Sequence, residues 1–313
     1  MEPYFLKLAA DYIAEPLSIL FNFSIKTKEI PSVWKSAFLS VGQLLERANR
    51  NYTPDIDEPT LIGGDIAIKS EADRNADPCT SRGCMWGKWS DGKVYVPYYI
   101  ANHYSSREIA IITRGLESFS SVSCIRFRPY QDGDREWLSI ESRNGCYSYV
   151  GRQSGGQTVS LSHQGCLYHS TVQHELLHAL GFNHEQTRSD RDNYIRVYWE
   201  NILDDMEYNF YKTDTLNQGT HYDYNSVMQY ERYAFSKNNQ PTMVPIPNSN
   251  VMLGGATQMS KNDIDRLNRL YQCCKHTAPS TACNTHKVIL YCNQSQLTLK
   301  SQTVSEKTKS GGL

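Results

Sequence analysis

The spacing of apolar residues changes several times along the chain, and each spacing predicts one kind of element. Residues 94–100 (VYVPYYI) are almost entirely apolar or aromatic and predict a strand. From Ser105 to Phe119 apolar residues recur at helical spacing, which predicts an amphipathic helix packed against a sheet. Its apolar positions are Ile109, Ile112, Leu116 and Phe119. Further strands are predicted at 124–129 and at 137–142 (WLSIES), where polar and apolar residues alternate.

A last helix is predicted after residue 260. Ser260 and Asp263 form a capping box at its start, and we expect the helix to end at Cys273. Its apolar positions are Ile264, Leu267 and Leu270. Residues 274–313 are rich in Ser, Thr and Lys, and this composition predicts a disordered tail.

The chain before residue 75 has a different composition. Residues 44–74 are acidic, contain two prolines and the Gly63–Gly64 pair, and show little periodic apolar pattern, which is typical of a linker or a pro-segment. Residues 1–43 have an acidic residue at position 2 and no basic n-region, so we do not expect them to form a signal peptide. The predicted division is therefore an N-terminal segment (1–43), a pro-segment (44–74), a globular domain (75–273) and a tail (274–313).

Composition excludes several classes of protein. The 32 Lys and Arg against 33 Asp and Glu leave a net charge of -1, which argues against a nucleic-acid partner or an acidic membrane surface. No apolar run approaches the roughly 20 residues that span a bilayer. Nine cysteines predict disulfides and an oxidising compartment, although an odd number cannot all pair within one chain.

The candidate chemistry lies in residues 173–185 (QHELLHALGFNHE). His174 and His178 are four residues apart, so on a helix they share one face and can bind the same ion. Glu175 follows the first histidine and can accept a proton from water at an open position of that ion.

The third histidine of this segment requires a turn. On a continuous helix His184 would lie about 15 Å from His174 along the axis, too far to share a metal. Gly181 suits a left-handed cap that ends the helix and turns the chain back. Three neutral imidazoles leave one coordination position open, which is typical of a catalytic Zn²⁺ site with one ion.

The motif also has an ordinary alternative. HExxH alone arises by chance on many helices, as surface His and Glu without a metal. Here Gly181 and His184 extend it, and Met228 follows in SVMQY, so the sequence matches the longer metzincin pattern. Met228 by itself would more often be a core residue.

Residues 75–273 resemble an astacin-family zinc endopeptidase. The similar segments are TVQHELLHALGFNHEQTRSDRDNYI, YDYNSVMQY and MSKNDIDRLNRLYQC, and they resemble most the fish branch with hatching enzymes and nephrosin. The resemblance implies an α+β metzincin fold, with two halves that flank an active-site cleft and a mostly parallel or mixed sheet in the upper half. It also implies an endopeptidase that is made as a zymogen and acts on proteins as a monomer, without nucleic acid or a membrane.

The same resemblance gives roles to individual residues. The residues that it assigns to zinc are His174, His178 and His184. Glu175 would be the general base and acid, and Met228 would lie beneath the metal. Tyr230 would stabilise the oxyanion in the transition state, with a buried core tyrosine as the alternative. Gln229 stands where many members have His, and we expect altered contacts around the site rather than lost activity.

Two further residues are implicated in activation. By the resemblance, Glu185 receives the new amino terminus after cleavage near Arg74–Asn75 by a trypsin-like protease; a surface or helix-capping glutamate is the alternative. LIGGDI resembles the FxGD motif of the pro-segment, with Ile62 in place of Phe, which would make Asp65 the latch on zinc. A simple Gly-Gly-Asp turn is the alternative there.

The resemblance also pairs six cysteines. The implied disulfides are Cys124 with Cys273, Cys146 with Cys166, and Cys79 with Cys84. Spacing alone does not choose among the connectivities, and free buried thiols are the alternative in a reducing compartment. No family partner is recognisable for Cys274, Cys283 and Cys292. We therefore expect secretion, although the chain has no recognisable signal peptide.

Residues 1–38 resemble a short fragment of the reverse transcriptase of LINE-type retrotransposons, without its catalytic part. We interpret them as a fused or mis-predicted first exon with no function in this protein. For the whole chain the main hypothesis is a zinc endopeptidase, and the alternative is a zinc-binding protein without proteolytic activity.

Overall fold

A seven-stranded mixed sheet forms the frame of the structure, a computed structural model that describes residues 39–69 and 83–273. Its strands are β1 Thr60–Ile62, β2 Ile66–Ile68, β3 Val94–Ile100, β4 Ile125–Pro129, β5 Glu136–Glu141, β6 Cys146–Tyr149 and β7 Gly155–Leu161. Their spatial order is β1-β2-β6-β7-β5-β3-β4. A second sheet pairs β8 (Ile195–Val197) with β9 (Met243–Pro245). The helices are α1 Val41–Asn49, α2 Ser106–Ser120, α3 His169–Ala179 and α4 Lys261–Leu270.

Most neighbours in the large sheet are parallel. β3 pairs in parallel with β4 and β5, β5 with β7, and β2 with β6. Only the β6–β7 and β1–β2 pairs of this sheet are antiparallel. The predicted α+β fold with a mostly parallel mixed sheet is confirmed.

The predicted amphipathic helix is α2. Its N-cap, Ser105, accepts a hydrogen bond from the backbone N–H of Glu108, whose side chain accepts in return from the Ser105 N–H. Its buried face includes Ile112 and Leu116, whereas Ile109 remains partly exposed at the edge of that face. α2 packs closely on α3, because a Cβ atom at Gly115 would lie only 2.3 Å from a methyl carbon of Val172.

The described residues contain three apolar clusters, and the two larger ones mark the two halves. The larger core lies between the seven-stranded sheet and the helices and includes Leu138, Leu176 and Leu267. The smaller one surrounds the β8–β9 sheet and includes Phe210. Met228 belongs to the first core and Tyr230 to the second, so the segment that joins them crosses the boundary between the halves.

Residues 39–69, which include most of the predicted pro-segment, are more regular than the sequence predicts. Ser40 and Gln43 form a capping box for α1, and the predicted boundary after residue 43 falls inside this helix. The sequence did not indicate this helix because it has only nine residues, and its apolar positions lie on both sides of that boundary. Strands β1 and β2 have three residues each, too few for alternation to be recognised.

Other element boundaries differ from prediction by a few residues. β4 begins one residue later than expected, and β5 is shifted by one residue. α4 ends at Leu270 and not at Cys273, because Gln272 takes up a left-handed conformation with φ 48°. No helix in residues 39–69 and 83–273 combines the length and hydropathy needed to cross a bilayer.

Two of the implied disulfides are present. Cys124–Cys273 joins the start of β4 to the segment after α4, and Cys146–Cys166 joins β6 to the loop before α3. Cys84 is also disulfide-bonded, but its expected partner Cys79 lies outside the described residues. Also outside them are the LINE-like residues 1–38, the cleavage site at 74–75 and the tail with its three cysteines.

Candidate active site

Helix α3 and the turn after it bring the three histidines together. The Gly181 N–H donates to the carbonyl of His178, and the Phe182 N–H donates to that of Leu177, the two hydrogen bonds of a Schellman cap. Gly181 has φ 101°, as the left-handed cap predicted from the sequence requires. After this turn, Nε2 of His184 lies 3.3 Å from Nε2 of His174, and Nε2 of His178 lies 3.0 Å from it.

The three imidazoles are arranged as metal ligands. Nδ1 of His174 donates to the Val227 carbonyl at 2.7 Å, and Nδ1 of His178 donates to the Phe182 carbonyl at 2.7 Å. Burial lowers the pKa of His178 to about 4 and also lowers that of His184. A ring whose Nδ1 donates has its lone pair on Nε2, which holds for His174 and His178, whereas Nδ1 of His184 has no partner among the described residues.

A carboxylate from the turn between β1 and β2 completes this cluster. Asp65 Oδ2 lies 3.0 Å from Nε2 of His174, and Oδ1 lies 3.0 Å from Nε2 of His184 and 3.6 Å from that of His178. The side chain is almost fully buried, and burial opposes its ionisation. The adjacent His184 and His174 outweigh burial and hold the pKa of Asp65 well below its usual range.

The turn before Asp65 depends on glycine. Gly63 and Gly64 have φ 61° and 83°, and a Cβ on Gly63 would lie 2.8 Å from Nδ1 of His184. The Gly63 N–H donates to Oδ1 of Asn209 at 2.7 Å, and Nδ2 of Asn49 donates to the Gly64 carbonyl at 2.8 Å. These contacts fix the turn directly against the third histidine.

Two buried groups beside the cluster lack partners of their own. Neither carboxylate oxygen of Glu175 has a hydrogen-bond partner among the described residues, and the same is true of the Tyr230 hydroxyl. Burial, and next the charge of Asp65, raise the pKa of both groups. The Tyr230 ring lies 4.5 Å from the His184 ring, centroid to centroid. Buried polar atoms without partners are costly, and a metal ion with its water would supply partners for them.

The donor set fits zinc. The cluster consists of Asp65, His174, His178 and His184, and one ligand atom from each lies within 4.8 Å of the others. Three imidazole nitrogens and one carboxylate oxygen match the ligand types and number of a tetrahedral Zn²⁺ site. The Nε2 atoms and the carboxylate of Asp65 face one point, where a cation can bind.

The segment around Met228 supports the first histidine and the residue after the third. Met228 itself is buried in the larger core, and its carbonyl accepts a hydrogen bond from the Glu185 N–H at 2.9 Å. The preceding residue, Val227, supplies the carbonyl that orients His174. Gln229 is buried, accepts a hydrogen bond from the Tyr222 hydroxyl at 2.5 Å and donates to the Tyr230 carbonyl at 3.0 Å.

Glu185 is buried and surrounded by donors. Arg266 donates to both of its oxygens, the Asp223 N–H donates to Oε1 at 2.7 Å, and Nη1 of Arg188 lies 3.4 Å from Oε1. Burial raises the pKa of Glu185, and the two arginines counteract that shift. The alternative of a surface glutamate is excluded by its 2% exposure.

Several residues around the site were not singled out by the sequence. Asp263 was predicted only as a capping residue, yet it also accepts from the Ser226 hydroxyl at 2.5 Å and from the Val227 N–H at 2.9 Å. Others not predicted are Asn49, Asn209, Tyr222 and Arg266. Only Asp263 had a local signal, its position three residues after Ser260.

Comparison with known proteins agrees with this geometry. High choriolytic enzyme 1 of Oryzias latipes is 46% identical over 214 residues, which are 68% of this chain and 78% of that protein. The low choriolytic enzyme of the same species is 42% identical over 241 residues, or 76% of this chain and 86% of that protein. The solved structure of high choriolytic enzyme 1, a hatching enzyme zinc-protease, superposes with a TM-score of 0.61 at 47% identity. It covers 64% of this chain and 100% of that chain.

The family model for astacin, a peptidase family, matches residues 83–272, more than half of the chain. This range contains the three histidines, Glu175 and Tyr230, while Asp65 precedes it. The chain therefore belongs to the astacin family of zinc-dependent metalloendopeptidases.

Proposed function

We propose that this chain is the latent form of a secreted choriolytic-type endopeptidase, silenced by Asp65 of its own pro-segment. The observation that carries this proposal is the contact of one carboxylate with all three imidazole nitrogens of the zinc site. A carboxylate is itself a good zinc ligand, so it competes with water for the fourth coordination position. While Asp65 remains there, the water needed for hydrolysis has no place on the metal.

Strand pairing and a helix hold Asp65 in position. β2 pairs with β6, and the Ser148 N–H donates to the Asp65 carbonyl at 3.0 Å. Asn49 of α1 bridges to the same strand, through hydrogen bonds to the carbonyl and the N–H of Cys146. Departure of β2 would uncover backbone groups of β6, to which an extended substrate can add as a new strand.

The proposed chemistry is peptide hydrolysis by general base catalysis. The three histidines would hold zinc, which would supply a Lewis acid for the scissile carbonyl and lower the pKa of water. Glu175 accepts the proton of the attacking water and passes it to the leaving amine. The Tyr230 hydroxyl, which burial keeps protonated, donates a hydrogen bond to the carbonyl oxygen as that oxygen gains negative charge.

Activation would require cleavage near Arg74–Asn75 by a trypsin-like protease, and Glu185 is the expected acceptor of the new amino terminus. Secretion is supported by disulfides at Cys124–Cys273 and Cys146–Cys166, which persist in oxidising compartments. We expect the mature enzyme to be a monomer.

Catalysis is tested with casein before and after trypsin treatment, with and without a chelator. We expect chelator-sensitive cleavage that appears only after treatment. Glu175→Gln should abolish cleavage by at least about 1,000-fold, because the proton acceptor is lost. Zinc content, measured by mass spectrometry, should stay near one ion per chain, since Glu175 is not among the ligands. An active Glu175→Gln enzyme would refute the assignment of the base.

The substrate class follows from the relatives. Both choriolytic enzymes are at least 42% identical to this chain, and we propose that its natural substrate is likewise the chorion. Isolated chorion from Oryzias latipes eggs should swell or dissolve when treated with the trypsin-activated protein. If the protein cleaves casein but has no effect on chorion, the proposed endopeptidase activity stands and chorion is rejected as its substrate.

A further inference from the structure

The carboxylate of Glu185 already has a cationic partner, the guanidinium of Arg266. Arg266 donates to Oε2 through Nη1 and to Oε1 through Nη2, the latter at 2.8 Å. The Asp223 N–H occupies Oε1 as well, at 2.7 Å. A bidentate arginine pair of this kind is among the strongest hydrogen-bonded ion pairs in proteins.

The charges around Glu185 are already balanced. Arg188 lies beside Glu185, but its guanidinium makes two hydrogen bonds of 2.8 Å with the carboxylate of Asp190. This leaves the charge of Arg266 to offset that of Glu185. A second buried carboxylate nearby, Asp263, accepts from Ser226 and from the backbone of α4 and of the Met228 segment. A cavity of about 70 Å³ adjoins Glu185, and Arg188 and Arg266 line it, so an entering ammonium would meet two like charges.

Arg266 is held independently of the pro-segment. Its Nε donates to the Thr220 hydroxyl at 2.7 Å, and Nη2 donates to the His221 carbonyl at 2.9 Å. It projects from α4, which the Cys124–Cys273 disulfide fastens to β4. Among the partners that the structure gives for its guanidinium, none lies in residues 39–69. Cleavage and loss of the pro-segment would therefore leave the Arg266–Glu185 pair intact.

We propose that Arg266 does for Glu185 what the resemblance assigns to the new amino terminus, so that the mature active centre does not depend on where the pro-segment is cut. Arg266 is a positioning residue in this proposal. It holds Glu185, whose N–H donates to the Met228 carbonyl and which directly follows His184 in the chain. The proposal rests on the endopeptidase function proposed above and replaces one part of it, the need for an ammonium at Glu185.

The test compares two amino termini on the full chain. Both versions carry the sequence Asp-Asp-Asp-Asp-Lys, after which a specific protease cleaves. In one version this sequence replaces residues 70–74, so cleavage yields Asn75 as the new amino terminus. In the other version the site is inserted before Glu71, which leaves residues 71–74 attached. Mass spectrometry checks both termini. The readouts are kcat and KM on a quenched peptide, zinc content, and the thermal unfolding midpoint.

With Arg266 present, kcat of the two forms should agree within about twofold, and their unfolding midpoints should coincide. In Arg266→Gln the carboxylate of Glu185 has lost its bidentate counterion and keeps only Arg188 at 3.4 Å, which Asp190 also binds, so the Asn75 ammonium can take the place of Arg266. The Asn75 form should then exceed the extended form by about tenfold or more in kcat, since an unpaired buried charge is strongly destabilising. In Arg266→Lys the ratio of kcat between the Asn75 form and the extended form should return towards one. A role of Arg266 in folding alone would lower both forms equally.

Two outcomes overturn the proposal. One is a loss of about tenfold in kcat when the unsubstituted protein carries the extension, which would mean that Glu185 needs the ammonium. The other is a folded Arg266→Gln protein whose Asn75 form and extended form have nearly equal kcat. If Arg266→Gln does not fold, the Asn75 and extended forms of the unsubstituted protein and of Arg266→Lys still test the proposal. If no form cleaves the peptide, the proposed function fails, while the midpoints of the two amino-terminal forms still test the role of Arg266.

Discussion

The turn at Gly63 gives the sharpest test of the latch, because the substitution is absent from the mature enzyme. In Gly63→Ala the new Cβ would lie 2.8 Å from Nδ1 and 3.0 Å from Cε1 of His184, at φ 61°. The left-handed backbone costs roughly 1–2 kcal/mol in a non-glycine residue, and relieving the contact costs about 1–3 kcal/mol more. Even the lower sum, about 2 kcal/mol, raises the population with an open latch roughly 30-fold.

The assay measures cleavage of a quenched peptide by the uncut protein, as a fraction of its activity after trypsin treatment. Gly133→Ala is the matched control, since Gly133 has φ 99° and no atom within 4 Å of a Cβ. We call the activity of the uncut protein, as a fraction of that after trypsin treatment, the leak. Gly63→Ala should raise the leak about 30-fold, and Gly133→Ala should leave it almost unchanged. After trypsin treatment, Gly63→Ala and the unsubstituted protein should have identical kinetics. A Gly63→Ala protein as silent as the unsubstituted one would refute the claim that this turn holds Asp65 on the histidines.

Two further substitutions test the packing that holds the site. Asn49→Ala removes hydrogen bonds to Gly64 and Cys146 and should raise the leak by about tenfold in the same assay. Its control, Arg50→Ala, removes only an exposed ion pair with Glu46 on the same helix. Gly115→Ala forces a Cβ to within 2.3 Å of Val172 and should lower the unfolding midpoint by roughly 3–10 °C, whereas Gly87→Ala, with open space around it, should not.

The core of the site could be predicted because its signals are local. The spacing of His174 and His178 follows from helix geometry, and Gly181 gives the turn that brings in His184. The helices α2 and α4 were also predictable, since each begins with a capping box and carries a periodic apolar face. In each of these cases a few neighbouring residues determine the structure.

The partners of the site could not be predicted because they are distant in sequence. Arg266 contacts Glu185 across 81 residues, and Asn49 contacts Cys146 across 97. Nothing in the sequence around either residue indicates its partner. α1 was missed for a related reason: its apolar residues Val41 and Leu45 are buried in the larger core, which the rest of the chain provides.

The same long-range contacts determine how fast activation follows cleavage. A cut near residue 74 leaves Asp65 in a separate peptide that still pairs through β2 with β6 and still buries Val41 and Leu45. Before the cut, the chain keeps this segment at a high effective concentration, and after it the segment dissociates by mass action. We therefore expect activity to lag behind cleavage, as followed by gel, and the lag to shorten on dilution. Activity that rises in step with cleavage at every protein concentration would mean that covalent attachment alone maintains the latch.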